Sequence, residues 1–430
     1  MQALLPNSRS QGAACRWIVA QEGSRQSYAV PLSFHRLQLL RTFYVDTWCR
    51  WGRSLLERGP RACRALATHF SNGLPQDLVV SFNRSVLHSR AMFHVRKSKL
   101  STAELSNEYC RFGEKFARLV REHLEQQRLD SSRDYFFGFN TNCLETLEYL
   151  RTRRIFTVVD QVDPGKVEED LCVEEAERWA EWARVPGRMS PAYWNRIKAE
   201  WKAADLVLVN SEWSANALVQ QGLEREKLIV VPLALNIPIE QIPPRFPQGN
   251  LKVLWLGSII LRKGIQYLVQ AARLLQTKGI EFILAGPLGV SDHAVRSFPA
   301  NMKLLGTVTR DRVGQLYRQA DVFVLPTLSD GFAITQLEAM AHGLPVVTTH
   351  NCGKVVTDGQ DGYIVPARDG QALAEALARL HASPSLVRYL SANAMRTAER
   401  FDLPSNAALI QRLVSERRNQ KTPVKVDHGQ

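Results

Sequence analysis

Two stretches in the second half of the chain combine the residue types that bind anions and hydroxyl groups. The first, Gly257-Ser-Ile-Ile-Leu-Arg262-Lys263-Gly264, lies between an apolar run and a helical pattern. Glycine lets the backbone turn tightly and come close to a ligand. The helix start that follows offers free amide N–H groups and a positive dipole end. Arg262 and Lys263 bring two cations to the same place, so the turn suits a diphosphate. Its spacing is neither that of a P-loop nor G-x-G-x-x-G. A capped helix with two solvated charges would give the same pattern.

The second stretch, Pro326-Thr-Leu-Ser-Asp330-Gly331-Phe332-Ala-Ile-Thr335-Gln-Leu-Glu338, places two carboxylates eight positions apart across a glycine-containing turn. A strand should end at Pro326 and a helix begin near Thr335. A carboxylate in the first helical turn can accept hydrogen bonds from a diol such as ribose; one on the preceding loop can reach hydroxyls of a neighbouring sugar. The amides of Gly331, Phe332 and Ala333 can meet phosphate or sugar oxygens. A helix N-terminus stabilised by acidic residues is the plainer account.

These turns need elements to hold them. Apolar runs at Val253–Gly257, Phe282–Gly286, Val322–Pro326 and Pro345–Thr348 alternate with helical patterns at Gly264–Lys278, Arg312–Ala320, Gln336–Ala341 and beyond Gly370. Strands separated by single helices imply a parallel sheet covered on both faces, with ligands at the carboxyl ends of its strands. The first half alternates less clearly. Strands are expected at Trp17–Ala20, Leu78–Ser81, Tyr135–Phe139, Ile155–Val159, Leu206–Val209 and Leu228–Val231, and a long helix at Ala103–Arg128. Residues 232–250 hold five prolines and no period, as an interdomain linker would.

Composition narrows the partners. The net charge of +13 over 430 residues favours an anionic one: a phosphorylated small molecule, anionic lipid or nucleic acid. The seven cysteines form no C-x-x-C pair, so neither a metal-ligand set nor a disulfide framework is expected, and reduced thiols in a cytosolic protein follow. Met1–Ser10 lacks the apolar core of a signal peptide, and no run of about 18 apolar residues occurs. The stretch His35–Arg64 interleaves arginines with Leu, Phe, Tyr and Trp. Such a basic amphipathic surface can rest on anionic lipid; a solvated helix face with aromatics inside reads the same way. No zinc, helix-turn-helix or RNA-binding signature supports nucleic acid.

Taken in order, the motifs resemble the C-terminal domain of the GT-B fold glycosyltransferases, retaining family four. That family carries a G-x5-K-G loop and later E-x7-E within a run ending L-E-A-M-A-x-G-x-P-V-V. Here the loop is Gly257–Gly264, the paired acids are Asp330 and Glu338, and Leu337-Glu-Ala-Met-Ala-His-Gly-Leu-Pro-Val-Val347 follows. Further matches are Gly306-Thr-Val308, Ala320-Asp321-Val-Phe-Val-Leu-Pro326 and Asp361-Gly362-Tyr-Ile-Val-Pro366. The resemblance is strong over Val253–Arg400 and thinner before it, through Ala204–Ser211 and Gly222–Pro232.

The resemblance implies an α/β, GT-B architecture of two Rossmann-like domains with parallel sheets facing across a cleft. Residues 1–233 would form the acceptor-side domain, 234–249 the linker, 250–400 the nucleotide-sugar domain, and 401–430 a helix and tail crossing back to the first domain. It implies a metal-independent, retaining hexosyltransferase without a cofactor, cytoplasmic or peripheral at the inner membrane face. The donor would be a nucleoside-diphosphate sugar and the acceptor a glycan, lipid or small molecule, with no nucleic acid. Arg262 and Lys263 would neutralise the diphosphate, Glu338 would bind the ribose, and Asp330 the transferred sugar. Gly306 and Val308 would hold the base. Gly257, Ser258, Thr327, Gly331, Phe332 and Ala333 would complete the donor side, with Gly23 and Ser24 of the N-terminal loop facing the diphosphate. The chain departs from the family at Ser258, where arginine is usual, at Asp330, where glutamate is usual, and in the N-domain, where Asp160 of Val158-Val-Asp160-Gln-Val-Asp163-Pro164 stands in place of a histidine near the sugar. A degenerate module that binds a sugar nucleotide or a partner without turnover would share these motifs.

Overall fold

The computed structural model describes residues 15–50, 55–56, 58–59, 61–184, 187–239 and 242–421. Met1–Ser10, Arg53 of the basic stretch and nearly all of the tail lie outside the described residues.

Seven parallel strands form the first sheet: β1 (Arg16–Gln21), β2 (Leu40–Val45), β3 (Val79–Ser81), β4 (Asp134–Phe139), β5 (Phe156–Gln161), β6 (Leu206–Val209) and β7 (Leu228–Val230). Their order is β3-β2-β1-β4-β5-β6-β7. Six more form the second: β8 (Leu251–Leu256), β9 (Ile280–Ala285), β10 (Met302–Gly306), β11 (Val322–Leu325), β12 (Val346–Thr348) and β13 (Gly362–Ile364), ordered β10-β9-β8-β11-β12-β13. Both are doubly wound. Strand order reverses between β1 and β4, and again between β8 and β11, so each sheet has a crevice outside its carboxyl edge at that point. The expected α/β, GT-B architecture of two parallel sheets is the one found. Helices cover both faces of each sheet, which is why strands such as Val322-Phe-Val-Leu325 are apolar on both sides.

One strand was not expected. The middle of the basic stretch is β2, paired with β1 from Leu40 to Val45, with Phe43, Tyr44 and Val45 buried. The stretch is therefore not one amphipathic surface. Arg41 and Arg16 both bind the carboxylate of fully buried Asp134 on the neighbouring β4, Arg16 at 2.8 Å. A charge at a strand end thus marks an ion pair inside the fold rather than a solvated face.

Three connections tie the halves together. The linker has neither helix nor strand among its described residues, yet it is anchored: Leu235 N donates to Phe401 O at 2.7 Å, and Arg245 donates to the carbonyls of Tyr317, Arg318 and His342. The last helix, Leu403–Lys421, returns to the first domain, where Ala407, Ile410 and Val414 join Trp17 and Phe34 in one core and Trp17 Nε1 donates to Gln411 Oε1 at 2.7 Å. The helix Lys166–Arg178 runs the opposite way. Its Glu175, fully buried, accepts from Gln266 Nε2 at 3.0 Å and Tyr267 OH at 2.5 Å and pairs with Arg368 at 3.0 Å, while Trp182 just beyond it sits in the core of the second domain. Burial of an indole contributes roughly 4 kcal/mol. No described helix is long and apolar enough to cross a membrane.

Candidate active site

The Lys263 turn and the Asp330 turn leave the adjacent strands β8 and β11 at the crevice of the second sheet. Their backbones touch. Gly264 has φ +84°, and a Cβ there would lie 1.9 Å from Pro326 O, so only glycine fits. Leu328 N donates to Arg262 O at 2.8 Å, and Thr327 Oγ1 bonds that carbonyl at 3.3 Å and Ser329 O at 3.0 Å. Thr327 is fully buried. Its hydroxyl braces the two loops and does not face the cleft as a donor contact would.

The expected cations and acids converge, and they are paired with each other. Lys263 Nζ donates to Asp330 Oδ2, and Asp330 Oδ1 accepts from Ala333 N at 3.1 Å. Burial, helped by neighbouring Arg262, pushes the Lys263 ammonium down to about 8. Arg262 does not stand free for a phosphate: its Nη1 donates to Ser329 O at 2.6 Å and meets Glu168 Oε2 at 3.2 Å. Ser329 Oγ donates to the same carboxylate at 2.8 Å and accepts from Trp213 Nε1 at 3.0 Å. Glu168 belongs to the first domain's Lys166–Arg178 helix, and burial raises its pKa. In sequence it reads as an ordinary first-turn acid, and no spacing signal separates it from Glu169.

Gly331, expected to offer its amide to a ligand, meets the first domain with its Cα and carbonyl. A Cβ on it would lie 2.1 Å from Val162 O, and its own carbonyl accepts from Ser214 Oγ at 3.5 Å. Phe332 points inward and is 2% exposed. Ala333 takes a left-handed φ of 62° to start the helix Ile334–Ala341. On that helix Glu338 accepts from Tyr317 OH at 3.1 Å and lines a cavity of about 210 Å³ with Gln26, Ser27 and Asn236, so it too faces the first domain. Gly257 and Gly306 end β8 and the β10 edge, where Gly286 links them: its N donates to Gly306 O at 2.8 Å, and its Cα packs on Gly257. Space for a Cβ at either glycine is open. Ser258 and Val308 are half-buried beside them.

Opposite lies the loop after β1. Gly23 has φ +68° and donates its N–H to Asp46 Oδ1 at 2.7 Å; Ser24 O accepts from Ser27 N at 3.0 Å. Gln26, Ser27 and Tyr28 follow with φ of 50°, 50° and 64°, three consecutive left-handed residues that are not glycine. Each costs of the order of 1–3 kcal/mol, and such strain clusters where ligands are held. Asp160 lies beneath this loop at the end of β5, 1% exposed, with Asn210 Nδ2 donating to it at 3.4 Å. Burial pushes its carboxyl up to about 7 against the pull of Arg25 and Asn210. It is closed off from solvent and sits against Arg25 and Gln26 of the loop. Among the described residues no group of three or more His, Cys, Asp or Glu side chains is placed to hold a metal ion.

Known proteins resemble this chain in both halves. Residues 250–383 match the family model Glycosyl transferases group 1. D-inositol 3-phosphate glycosyltransferase of Streptomyces bingchenggensis is 28% identical over 236 residues, 48% of this chain and 51% of that protein. Capsular polysaccharide biosynthesis glycosyltransferase CapM of Staphylococcus aureus is 29% identical over 174 residues, 38% of this chain and 45% of that protein. The chain spans about half the length of the curated relatives it matches. Among solved structures, sucrose-phosphate synthase of Thermosynechococcus elongatus superposes with a TM-score of 0.60 at 16% identity, covering 94% of this chain and all of that one. HepE of Anabaena, solved with UDP and glucose, gives 0.55 at 16% identity over 94% of this chain and all of that one. The fold is that of GT-B glycosyltransferases along nearly the whole length, and the family-model match lies in the second domain.

Proposed function

We propose that this protein is a glycosyltransferase that moves a hexose-type sugar from a nucleoside diphosphate to a hydroxyl of a glycan, lipid or small molecule, with retention and without a metal. The observation that carries the proposal is the meeting of Lys263 and Asp330 at the switch point of the second sheet, where the adjoining Gly331 packs on Val162 of the first domain. The ammonium of Lys263 is neutralised by Asp330. A diphosphate entering at the helix start would take over Lys263, releasing Asp330 to accept hydroxyl hydrogens of the sugar. Glu338 would accept the ribose hydroxyls, a role supported by its position in the cavity it shares with Gln26, Ser27 and Asn236.

In the reaction the acceptor oxygen forms a bond to the anomeric carbon as the bond from that carbon to the phosphate oxygen breaks. The nucleoside diphosphate leaves with the electron pair, and its oxygen takes the acceptor proton. Fixed positive charge at Lys263 and the helix amides stabilises the departing anion. Arg262 acts one step back, tying the Ser329 carbonyl to Glu168 so that the two domains close on the donor. The relatives support an active enzyme over a binding module without turnover.

The test is release of nucleoside diphosphate from UDP-, GDP- and ADP-sugars, with thermal shift as the binding readout. One donor family should raise the melting temperature and turn over; Lys263→Ala and Glu338→Ala should lower turnover by at least about 100-fold. The anomeric coupling of the product reads retention, and full activity in excess chelator reads metal independence. Unchanged turnover in both variants would overturn the proposed site.

A further inference from the structure

The helix Lys166–Arg178 is a first-domain element with one face turned to the second domain. Glu168, Cys172 and Glu175, with Trp179 just past the helix end, are spaced four, three and four positions apart and so lie on one side of it. The far end of that face is fixed. Glu175 is fully buried against Gln266, Tyr267 and Arg368, and Trp179 packs edge-on to Tyr267 at 6.0 Å. Two turns earlier the same face brings Glu168 to the donor turns of the second domain. The acids beside it are otherwise engaged: Glu169 accepts from Met189 N and Trp194 Nε1 of the first domain, and Asp170 pairs with Arg188 and Lys166 at 2.6 and 3.1 Å.

Glu168 completes a row of four charges. Arg262 Nη1 stands 3.2 Å from Glu168 Oε2 and 4.0 Å from Asp330 Oδ2, and Asp330 takes Lys263. Two cations meet two carboxylates, all four partly buried, so the row carries no net charge. A diphosphate that recruits Lys263 arrives beside the Arg262 guanidinium, which is already engaged by Ser329 O at 2.6 Å on its own domain and by Glu168 on the other. Without the Glu168 charge the row stands at +1, and a unit charge several ångströms from a diphosphate changes affinity severalfold even near a protein surface. The carboxylate also acts on the loop. Its Oε2 accepts from Ser329 Oγ at 2.8 Å, and that hydroxyl accepts from Trp213 Nε1 at 3.0 Å. Ser329 directly precedes Asp330, so the turn that carries Asp330 is set from the first domain.

We infer that Glu168 is a positioning residue that works against donor binding: it keeps Arg262 off the diphosphate and uses that cation to hold the Asp330 turn and the first domain in register for transfer. The inference rests on the glycosyltransferase reading above. It adds a residue whose removal tightens the nucleotide and slows the reaction.

Isothermal titration of the full chain with UDP, GDP and ADP, beside steady-state turnover of the matching sugar nucleotide, tests it. Glu168→Gln keeps the length of the side chain and its bond from Ser329 but drops the charge. The nucleotide that binds the wild type should bind this variant roughly three- to tenfold more tightly, with kcat held within about threefold. Glu168→Ala loses the tie as well, and should tighten the nucleotide while lowering kcat at least about tenfold. A carboxylate that only stabilised the fold would give weaker binding, not this split between Kd and kcat. Asp170→Asn, the same change of charge at an exposed pair on the same helix, should leave both quantities unchanged. In an Arg262→Ala background the gain from Glu168→Gln should vanish, as a double-mutant cycle reads directly. Unchanged or weaker binding in both Glu168 variants, wild-type turnover in Glu168→Ala, or a gain that persists without Arg262 would each overturn the inference while leaving the transferase reading intact. Absence of any nucleoside diphosphate binding by the wild type would overturn that reading, and the inference with it.

Discussion

Replacing Gly331 by alanine isolates domain closure from folding. Gly331 is not among the glycines with left-handed φ, so its backbone accepts an L side chain without strain. What the new methyl group meets is the main chain of the other domain: Val162 O at 2.1 Å and Val162 C at 3.2 Å. Neither atom belongs to a flexible side chain that could swing away. Restoring even a 3.0 Å contact requires the two loops to part by about 0.9 Å. A misplacement near 1 Å of groups that must align costs about 100-fold in rate. The donor groups of the second domain keep their own geometry, so nucleotide affinity should fall far less than turnover. Steady-state kinetics of sugar transfer together with calorimetric nucleotide binding measure the split, and the melting temperature guards against simple unfolding. A Gly331→Ala enzyme with wild-type turnover and an unchanged melting temperature would refute the reasoning, since it would mean that the contact with Val162 is not part of the working state.

Other consequences follow from the same geometry. With its ammonium near 8, Lys263 loses its proton as the pH rises through that value, so nucleoside diphosphate affinity should fall above about pH 8 in the wild type; in Lys263→Arg the fall should disappear, as isothermal titration at pH 7, 8 and 9 will show. Asp160 is raised to about 7 from 3.8, so its contribution to stability is complete below pH 4 and is lost as the pH rises through 7. Asp160→Asn should therefore gain on the wild type by about 3 kcal/mol between pH 5 and pH 8 in urea unfolding. Glu175→Ala leaves Arg368, Tyr267 and Gln266 facing a vacated carboxylate position, and should cost about 3–5 kcal/mol in the same assay, far more than the exposed pair of Arg225 and Glu212 is worth.

The second domain was legible almost strand by strand. Parallel strands covered on both faces must be apolar throughout, so β8, β9, β11 and β12 stand out as runs, and the short connections after them carry glycine where backbones touch. Strand β2 was not legible. Its arginine and the surrounding cations resemble a solvated face, because the buried partner of Arg41 is Asp134, 93 positions away. The helix Thr102–Glu125 was visible as a long polar, basic stretch, expected at Ala103–Arg128, but nothing local told that its aromatic residues Tyr109 and Phe112 line a cavity.

What the sequence determined by itself was the chemistry at each strand end: two cations after β8, two acids around the turn after β11, a glycine loop after β1. Residue type and spacing along one strand–turn–helix unit are local properties, and they survive without a partner. Only the tertiary structure decided how these groups use one another. Lys263 neutralises Asp330, Arg262 is claimed by Glu168 from the other domain, and Gly331 yields its space to Val162. Charge pairing and steric exclusion between distant segments depend on separations of a few ångströms, and those are set by how two sheets are brought together, which no spacing along the chain encodes.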